Sequence, residues 1–149
     1  MAAFEIQVIV DCDPKTAIEF LKRPKNHLKI SPDEMNLTFL SAPDVLELGS
    51  QFEFQVTGFG QTQKATHQIV AMDEFSFTET QTSGAMRKLV TQHVCEATCD
   101  GKTLIIERVE FEGPGGLLGL IATEERIKSK MQEAFQFRHS ALQAALADS

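Results

Sequence analysis

From Phe4 to Val10, apolar and polar positions alternate closely enough to put Phe4, Ile6, Val8 and Val10 on one face of a strand. Asp13-Pro14 follows, an N-cap residue ahead of a proline at the first helical position. Ala17, Ile18 and Leu21 then give a short helix its apolar stripe before Pro24 ends it. A second short helical piece is predicted over Lys25 to Leu28, closed by Ser31-Pro32. From there to Phe111 the period is that of β structure. Successive strands are predicted over Met35–Leu40, Gln51–Gly58, Gln63–Met72, Phe75–Gln81, Met86–Thr98 and Lys102–Phe111. Turn residues separate them at Pro43 and Gly49, Gly58-Phe59-Gly60, Asp73-Glu74, Ser83-Gly84 and Asp100-Gly101.

After Gly113-Pro114-Gly115-Gly116 the period changes. Ile127, Met131, Ala134, Phe135, Leu142 and Ala145 share one stripe at helical spacing, with Leu120 on the same side. This predicts a long terminal helix from Leu117 or Thr123 to Leu146, about 35–45 Å long at 1.5 Å per residue. The order strand, two short helices, six strands and long helix is α+β, because a parallel sheet would need helices between its strands. A curved antiparallel sheet wrapped around such a helix cannot pack tightly against it everywhere. A cavity is therefore expected between them, lined by inward strand residues and the apolar stripe of the helix.

Composition narrows the function. A chain of 149 residues is expected to be one domain over 1–149, and 42% hydrophobic with 23% charged residues is a globular balance. The formal net charge of −7 counts against a nucleic-acid partner, which requires a basic stripe against phosphates. Eleven Phe with no Trp and no Tyr supply large apolar groups without polar tips. Cys12, Cys95 and Cys99 form no CxxC pair and fit reduced thiols in the cytoplasm. The start, MAAFEIQVIVDCD, lacks a basic leader segment, and no apolar run is long enough to insert stably in a membrane.

The hairpin at Thr98-Cys99-Asp100-Gly101-Lys102 decides which residues share a face. A two-residue Asp-Gly turn would place His93 opposite Arg108, with Glu110 on the same side. A three-residue loop with Gly101 left-handed would pair Thr98 with Lys102 and place His93 opposite Glu107. The first register buries several charges together, at a desolvation cost the second avoids. The second collects Leu89, Thr91, His93, Cys95, Ala97, Ile105, Glu107, Val109 and Phe111 on one face, and is the expected one.

A His93–Glu107 pair inside the cavity follows, with Glu79 and Gln81 on the neighbouring strand. Three roles are open to it: a satisfied hydrogen-bonded pair, an anchor for a ligand's polar end, or proton transfer by a histidine and a buried carboxyl. Arg138, on the otherwise apolar helix stripe, is expected to pair with a strand carboxylate; its planar fork also suits an anionic ligand. His67, His93, Cys95 and Glu107 have only generic spacing for a metal, so no metal site is assigned. Gly113-Pro114-Gly115-Gly116 follows a strand and precedes a helix, but it matches no phosphate-binding pattern and Pro114 lacks an N–H. It reads as a tight connection. There is no G-x-S-x-G nucleophile motif and no cofactor motif, and no cofactor is expected.

Several strings carry a resemblance. Leu28-Lys29-Ile30-Ser31-Pro32, the run Phe77-Thr78-Glu79-Thr80-Gln81-Thr82-Ser83-Gly84, the set Thr103, Glu107, Val109, Phe111, Pro114 and Gly116, and Phe135-Gln136-Phe137-Arg138 are four of them. With the element order from Phe4 to Leu146, they resemble the helix-grip superfamily. That superfamily includes steroidogenic-acute-regulatory lipid-transfer (START) domains, birch-pollen-allergen-like proteins and bacterial polyketide cyclase/dehydrase-like proteins, the last being the nearest in motif. Relatives often carry a polar-aromatic "P-F-x-x-W-x-H-x-H-x-F" run after the glycine. Here only His93 of that set remains, with Leu89, Thr91 and Cys95 at the other positions and Ala65 where a tryptophan is expected. Smaller side chains imply a roomier, more apolar pocket.

The resemblance implies a small hydrophobic or amphipathic ligand: a lipid, quinone, polyketide or isoprenoid. The expected ligand-binding residues are His93, Glu107, Thr91, Leu89, Cys95, Val109 and Phe111 from the last two strands. Glu79, Gln81, His67 and Phe54 are expected from the strands before them, and Met131, Phe135 and Arg138 from the helix. The alternatives are a cyclase or dehydratase using His93 and Glu107 for proton transfer, and a regulatory module acting through protein partners.

Overall fold

The computed structural model describes residues 1–147. Seven strands form one curved antiparallel sheet in the order β1-β7-β6-β5-β4-β3-β2. They are β1 (Ala2–Val10), β2 (Thr38–Ser41), β3 (Gln51–Gly58), β4 (Gln61–Asp73), β5 (Ser76–Ser83), β6 (Lys88–Ala97) and β7 (Thr103–Glu112). Helices α1 (Pro14–Leu21) and α2 (Pro24–Lys29) lie between β1 and β2; α3 (Gly116–Ile121) and α4 (Glu124–Leu146) follow β7.

The local signals act as their chemistry requires. In β1 the residues Phe4, Ile6, Val8 and Val10 turn inward while Glu5 and Gln7 are exposed. At α1 the Thr16 N–H donates to Asp13 Oδ1 at 2.8 Å, and Pro14 occupies the first turn, where a missing N–H costs nothing. At the β6–β7 hairpin Gly101 has φ +81°, a left-handed conformation that costs a residue with a Cβ. The Thr98 N–H donates to Lys102 O at 2.9 Å, and His93 stands opposite Glu107. This is the three-residue loop and the register favoured by the desolvation argument.

Three expectations are corrected. Met35 and Leu37 are not strand residues: Asp33–Met35 is a 3-10 turn, ended by Asn36 in the left-handed region (φ 47°), and β2 starts only at Thr38. Met86 and Arg87 precede β6 because the Met86 N–H is turned back to donate to Gln81 Oε1 at 3.1 Å. Of the two starts expected for the terminal helix, Thr123 is the one found, as the N-cap of α4, and the residues from Gly116 to Ile121 form a separate short helix. Ala122 and Thr123 leave the helical conformation between α3 and α4, and the Thr123 hydroxyl caps α4 by accepting from Arg126 N at 3.3 Å. That break shifts the helical phase, so Leu120 is 75% exposed instead of joining the stripe. Ala145 is exposed too; the buried stripe continues through Leu142 and Leu146. Ala97 lies at the end of β6, beyond the covered part of the sheet, and is exposed.

The interior has layers that recur on each element. One apolar cluster joins Ile18 and Leu21 of α1, Phe77, Cys95 and Ile105 of the sheet, and Leu142 and Leu146 of α4. Each such aliphatic or phenyl side chain contributes about 1.5–3 kcal/mol when fully buried. A second cluster joins Val109 and Phe111 of β7 to Ala122 and Ile127, with Phe4, Met131 and Phe135 against it. Between the two, on the same strands and the same helix, lie Glu107, His93, Arg138 and His139. Because neighbouring strands are antiparallel, the β3–β4 turn, the β5–β6 turn and the β7–α3 connection all fall at one end of the sheet. At the other end, α1 follows the end of β1.

Candidate ligand-binding site

A cavity of 780 Å³ lies between the sheet and α4. Phe54, His67, Glu79, Gln81, Leu89, Thr91, His93, Val109, Met131, Phe135 and Arg138 of the expected set are on its wall. Glu107, Cys95 and Phe111 are not, and for these three the expectation is corrected. Glu107 is 0% exposed and sits behind His93 and Arg138, whose side chains cover it. Cys95 packs in the first apolar cluster, and burial pushes its thiol up to about 12. Phe111 fills the second cluster, completely buried.

The polar side chains at one side of this cavity form a continuous network. Gln81 is oriented by the Met86 N–H on its Oε1, so its Nε2 donates to His67 Nε2 at 3.2 Å. That leaves His67 Nδ1–H to donate to Glu79 Oε2 at 2.6 Å. Gly84 makes this possible, since a Cβ there would stand 2.5 Å from Gln81 Oε1. His93 donates through Nε2 to Glu79 Oε1 at 2.6 Å and through Nδ1 to Glu107 Oε2. Its ring stacks on Phe77 with centroids 4.5 Å apart. Arg138 donates to Glu107 from Nε at 2.7 Å and from Nη2 at 2.9 Å, the paired geometry that suits a guanidinium. His139 adds a fourth donor, Nε2 to Glu107 Oε1 at 2.9 Å, while its buried Nδ1 has no partner among the described residues. Arg138 Nη1 also donates to His27 Nδ1 at 3.1 Å, and His27 Nε2 donates to the Leu21 carbonyl at 2.7 Å.

The electrostatics follow from these partners. Burial would raise the pKa of Glu107, but the adjacent Arg138 and His93 charges and the His139 hydrogen bond hold it well below the usual carboxylate range. Glu79 is likewise held low, against its burial, by the hydrogen bonds from His67 and His93. Burial opposes a charged His93, yet the two carboxylates on its ring nitrogens raise it to about 9. Burial and the neighbouring Arg138 depress His27 to about 4, so it is neutral and its Nδ1 lone pair accepts. Two carboxylates thus face one imidazolium and one guanidinium, a balanced set, as buried charges require.

His27 and His139 were missed by sequence reasoning. His139 follows Phe135 by one helical turn and adjoins Arg138, so extending the stripe would have found it. His27 lies in a six-residue helix too short to show a face. Met86, Leu118, Ala122, Ile127 and Ala134 also line the cavity, in keeping with an apolar wall.

No protein-family model matches the sequence, and no curated protein is similar to it by sequence. Solved structures are similar in fold. The Zhui aromatase/cyclase from Streptomyces sp. R1128 superposes with a TM-score of 0.77 at 13% identity, covering 97% of this chain and 93% of that one. A START superfamily protein from Mycobacterium smegmatis gives 0.75 at 13% identity, over 97% and 96%. The ginseng major latex-like protein 151 from Panax ginseng gives 0.71 at 14% identity, over 97% of each chain. The chain has the START-like helix-grip fold. Among the described residues no helix is long and apolar enough to cross a membrane.

Proposed function

We propose that this single-domain protein binds one small hydrophobic or amphipathic molecule, of lipid, quinone, polyketide or isoprenoid type, in the cavity between the sheet and α4. The observation that carries the reading is the cavity itself: 780 Å³, walled by Phe54, Leu89, Val109, Met131 and Phe135, with polar groups at one side. That volume lies within the range of about 300–1,000 Å³ usual for ligand pockets. Each 100 Å² of apolar ligand surface buried would contribute about 2.5 kcal/mol before association costs. The START superfamily and aromatase/cyclase structures of the same fold support this class of ligand. Three free cysteines, two of them buried, suit a reducing compartment, and we place the protein in the cytoplasm.

The geometry favours binding over proton-transfer catalysis by His93 and Glu107. Both His93 ring nitrogens donate to carboxylates, so no lone pair faces a substrate, and Glu107 is sealed from the cavity with four donors on it. The test uses the uncharged fluorophore N-phenyl-1-naphthylamine, together with native mass spectrometry of freshly purified protein. Saturable one-to-one uptake is expected. Ala65→Trp, which builds into the cavity wall, is expected to weaken uptake by about tenfold or more while leaving the circular dichroism unchanged. Failure of the protein to take up the probe or to carry any small molecule overturns the reading and favours a module that acts through protein partners. So does undiminished uptake by a folded Ala65→Trp variant.

A further inference from the structure

Most polar atoms at this side of the cavity are already engaged within the network. All four carboxylate oxygens of Glu79 and Glu107 accept within the network, and both nitrogens of His93, of His67 and of His27 are engaged. Gln81 Oε1 is held by the Met86 N–H. Arg138 has five N–H groups, of which Nε–H, one on Nη2 and one on Nη1 are used, so two remain. The second Gln81 Nε2 hydrogen is also uncommitted. Thr91, 7% exposed and on the cavity wall, makes no side-chain hydrogen bond among the described residues. It lies two residues from His93 along β6, on the same face of the sheet. The uncommitted hydrogens on this wall are therefore those of Thr91, Arg138 and Gln81, beside the second lone pairs of the Glu79 oxygens and of the Thr91 hydroxyl.

Charge narrows the choice. The carboxylates of Glu79 and Glu107 already balance His93 and Arg138, so a ligand anion seated here adds an uncompensated buried negative charge beside two others. A ligand cation finds at Glu79 and Glu107 only oxygens that already accept from His67, His93, Arg138 or His139. A neutral oxygen acceptor uses the spare donors and leaves the balance intact. Resting on the ligand-binding reading above, we propose that the cavity selects neutral ligands bearing a carbonyl oxygen, received by the Thr91 hydroxyl and the spare Arg138 N–H groups, and discriminates against the corresponding carboxylates. Lys64 and Lys130 also line the cavity together with Glu34 and Glu133, so the formal charges of that part of the wall cancel, and Lys130 Nζ stands 3.7 Å from Glu133 Oε2.

Three near-isosteric compounds test this by displacing N-phenyl-1-naphthylamine at pH 7.5: 2-acetylnaphthalene, 2-isopropylnaphthalene and 2-naphthoate. The ketone is expected to bind more tightly than the carboxylate by about tenfold or more. Thr91→Val is expected to weaken the ketone by about three- to tenfold while leaving the hydrocarbon within about twofold. The inference is overturned if naphthoate binds as well as the ketone, including by way of Lys64 or Lys130, each replaced by serine to locate it. It is overturned equally if Thr91→Val weakens the ketone and the hydrocarbon alike, or weakens neither. In those cases hydrocarbon binding survives and the ligand-binding reading stands. If neither the hydrocarbon nor the ketone displaces the probe, and the probe itself does not bind, that reading falls and this one with it.

Discussion

Replacing Glu107 by glutamine changes one oxygen to an amide in the most heavily shared acceptor of the molecule. Four N–H groups converge on that carboxylate: His93 Nδ1, Arg138 Nε and Nη2, and His139 Nε2. A glutamine keeps one acceptor oxygen and presents an NH2 to the donors on the other side. The network also loses one of its two negative charges, so Arg138 and His93 stand buried against Glu79 alone unless His93 releases its proton. Breaking a buried charged pair from one side costs about 3–5 kcal/mol, against a total stability of about 5–15 kcal/mol for a domain. With a urea dependence of about 2 kcal/mol per molar, the unfolding midpoint should fall by about 1.5–2.5 M. The transition is followed by far-ultraviolet circular dichroism, because the chain has no Trp or Tyr to report by fluorescence. The double substitution Glu107→Leu with Arg138→Met removes charge from both sides and should recover most of the loss, since apolar replacements of buried pairs are often neutral. A midpoint drop under about 0.5 M for the single variant, or a double variant no better than the single, would refute the charge argument.

Stability should fall on both sides of neutral pH. His93 is raised to about 9 in the fold, so its contribution is full below about 6.5 and is lost as pH rises through about 9. His27 is depressed to about 4, so its contribution is full above about 6.5 and is lost as pH falls toward 4; the lowered Glu79 and Glu107 add to that acid side below the ordinary carboxylate range. Urea midpoints measured from pH 4 to pH 10 give the profile, and a flat alkaline side would contradict a charged His93. Asp13→Ala, which removes the acceptor for the Thr16 N–H, should cost about 1 kcal/mol by urea titration with no effect on probe uptake.

The sheet was legible because each strand has its own alternation and each turn its own residues. The His93–Glu107 register was legible because only one loop type kept Arg108 and Glu110 out of the interior. Other features were opaque for physical reasons. Met35 and Leu37 are apolar beside a residue that tolerates the left-handed region, and nothing in the alternation distinguishes a 3-10 turn from a strand there. The α3–α4 break was legible only as one of two alternatives, Thr123 being an N-cap residue inside an otherwise helical period that by itself could not choose between the two starts. Glu107 belonged to the inward face, as the alternation implied. Whether an inward residue meets a cavity or is covered depends on long side chains from elsewhere, and Arg138 reaches Glu107 across 31 positions of sequence.

The first strand and the last helix of the described chain pack against each other. From β2 to β7 every strand pairs with its sequence neighbour, so each can zip onto the last through a local connection. β1 cannot: Ala2 stands opposite Phe111, and α4 packs along β1 from still further away. Closing a loop of about 100 residues costs about 4 kcal/mol in chain entropy beyond a constant, against about 1 kcal/mol for a three-residue loop. Contacts of that span slow folding, and they come after the local hairpins. The meander is therefore expected to form before the enclosure. The six strands β2 to β7, with one apolar face, are expected to stand open until β1 and α4 arrive to cover them, and the Arg138–Glu107 bond to form with that closure.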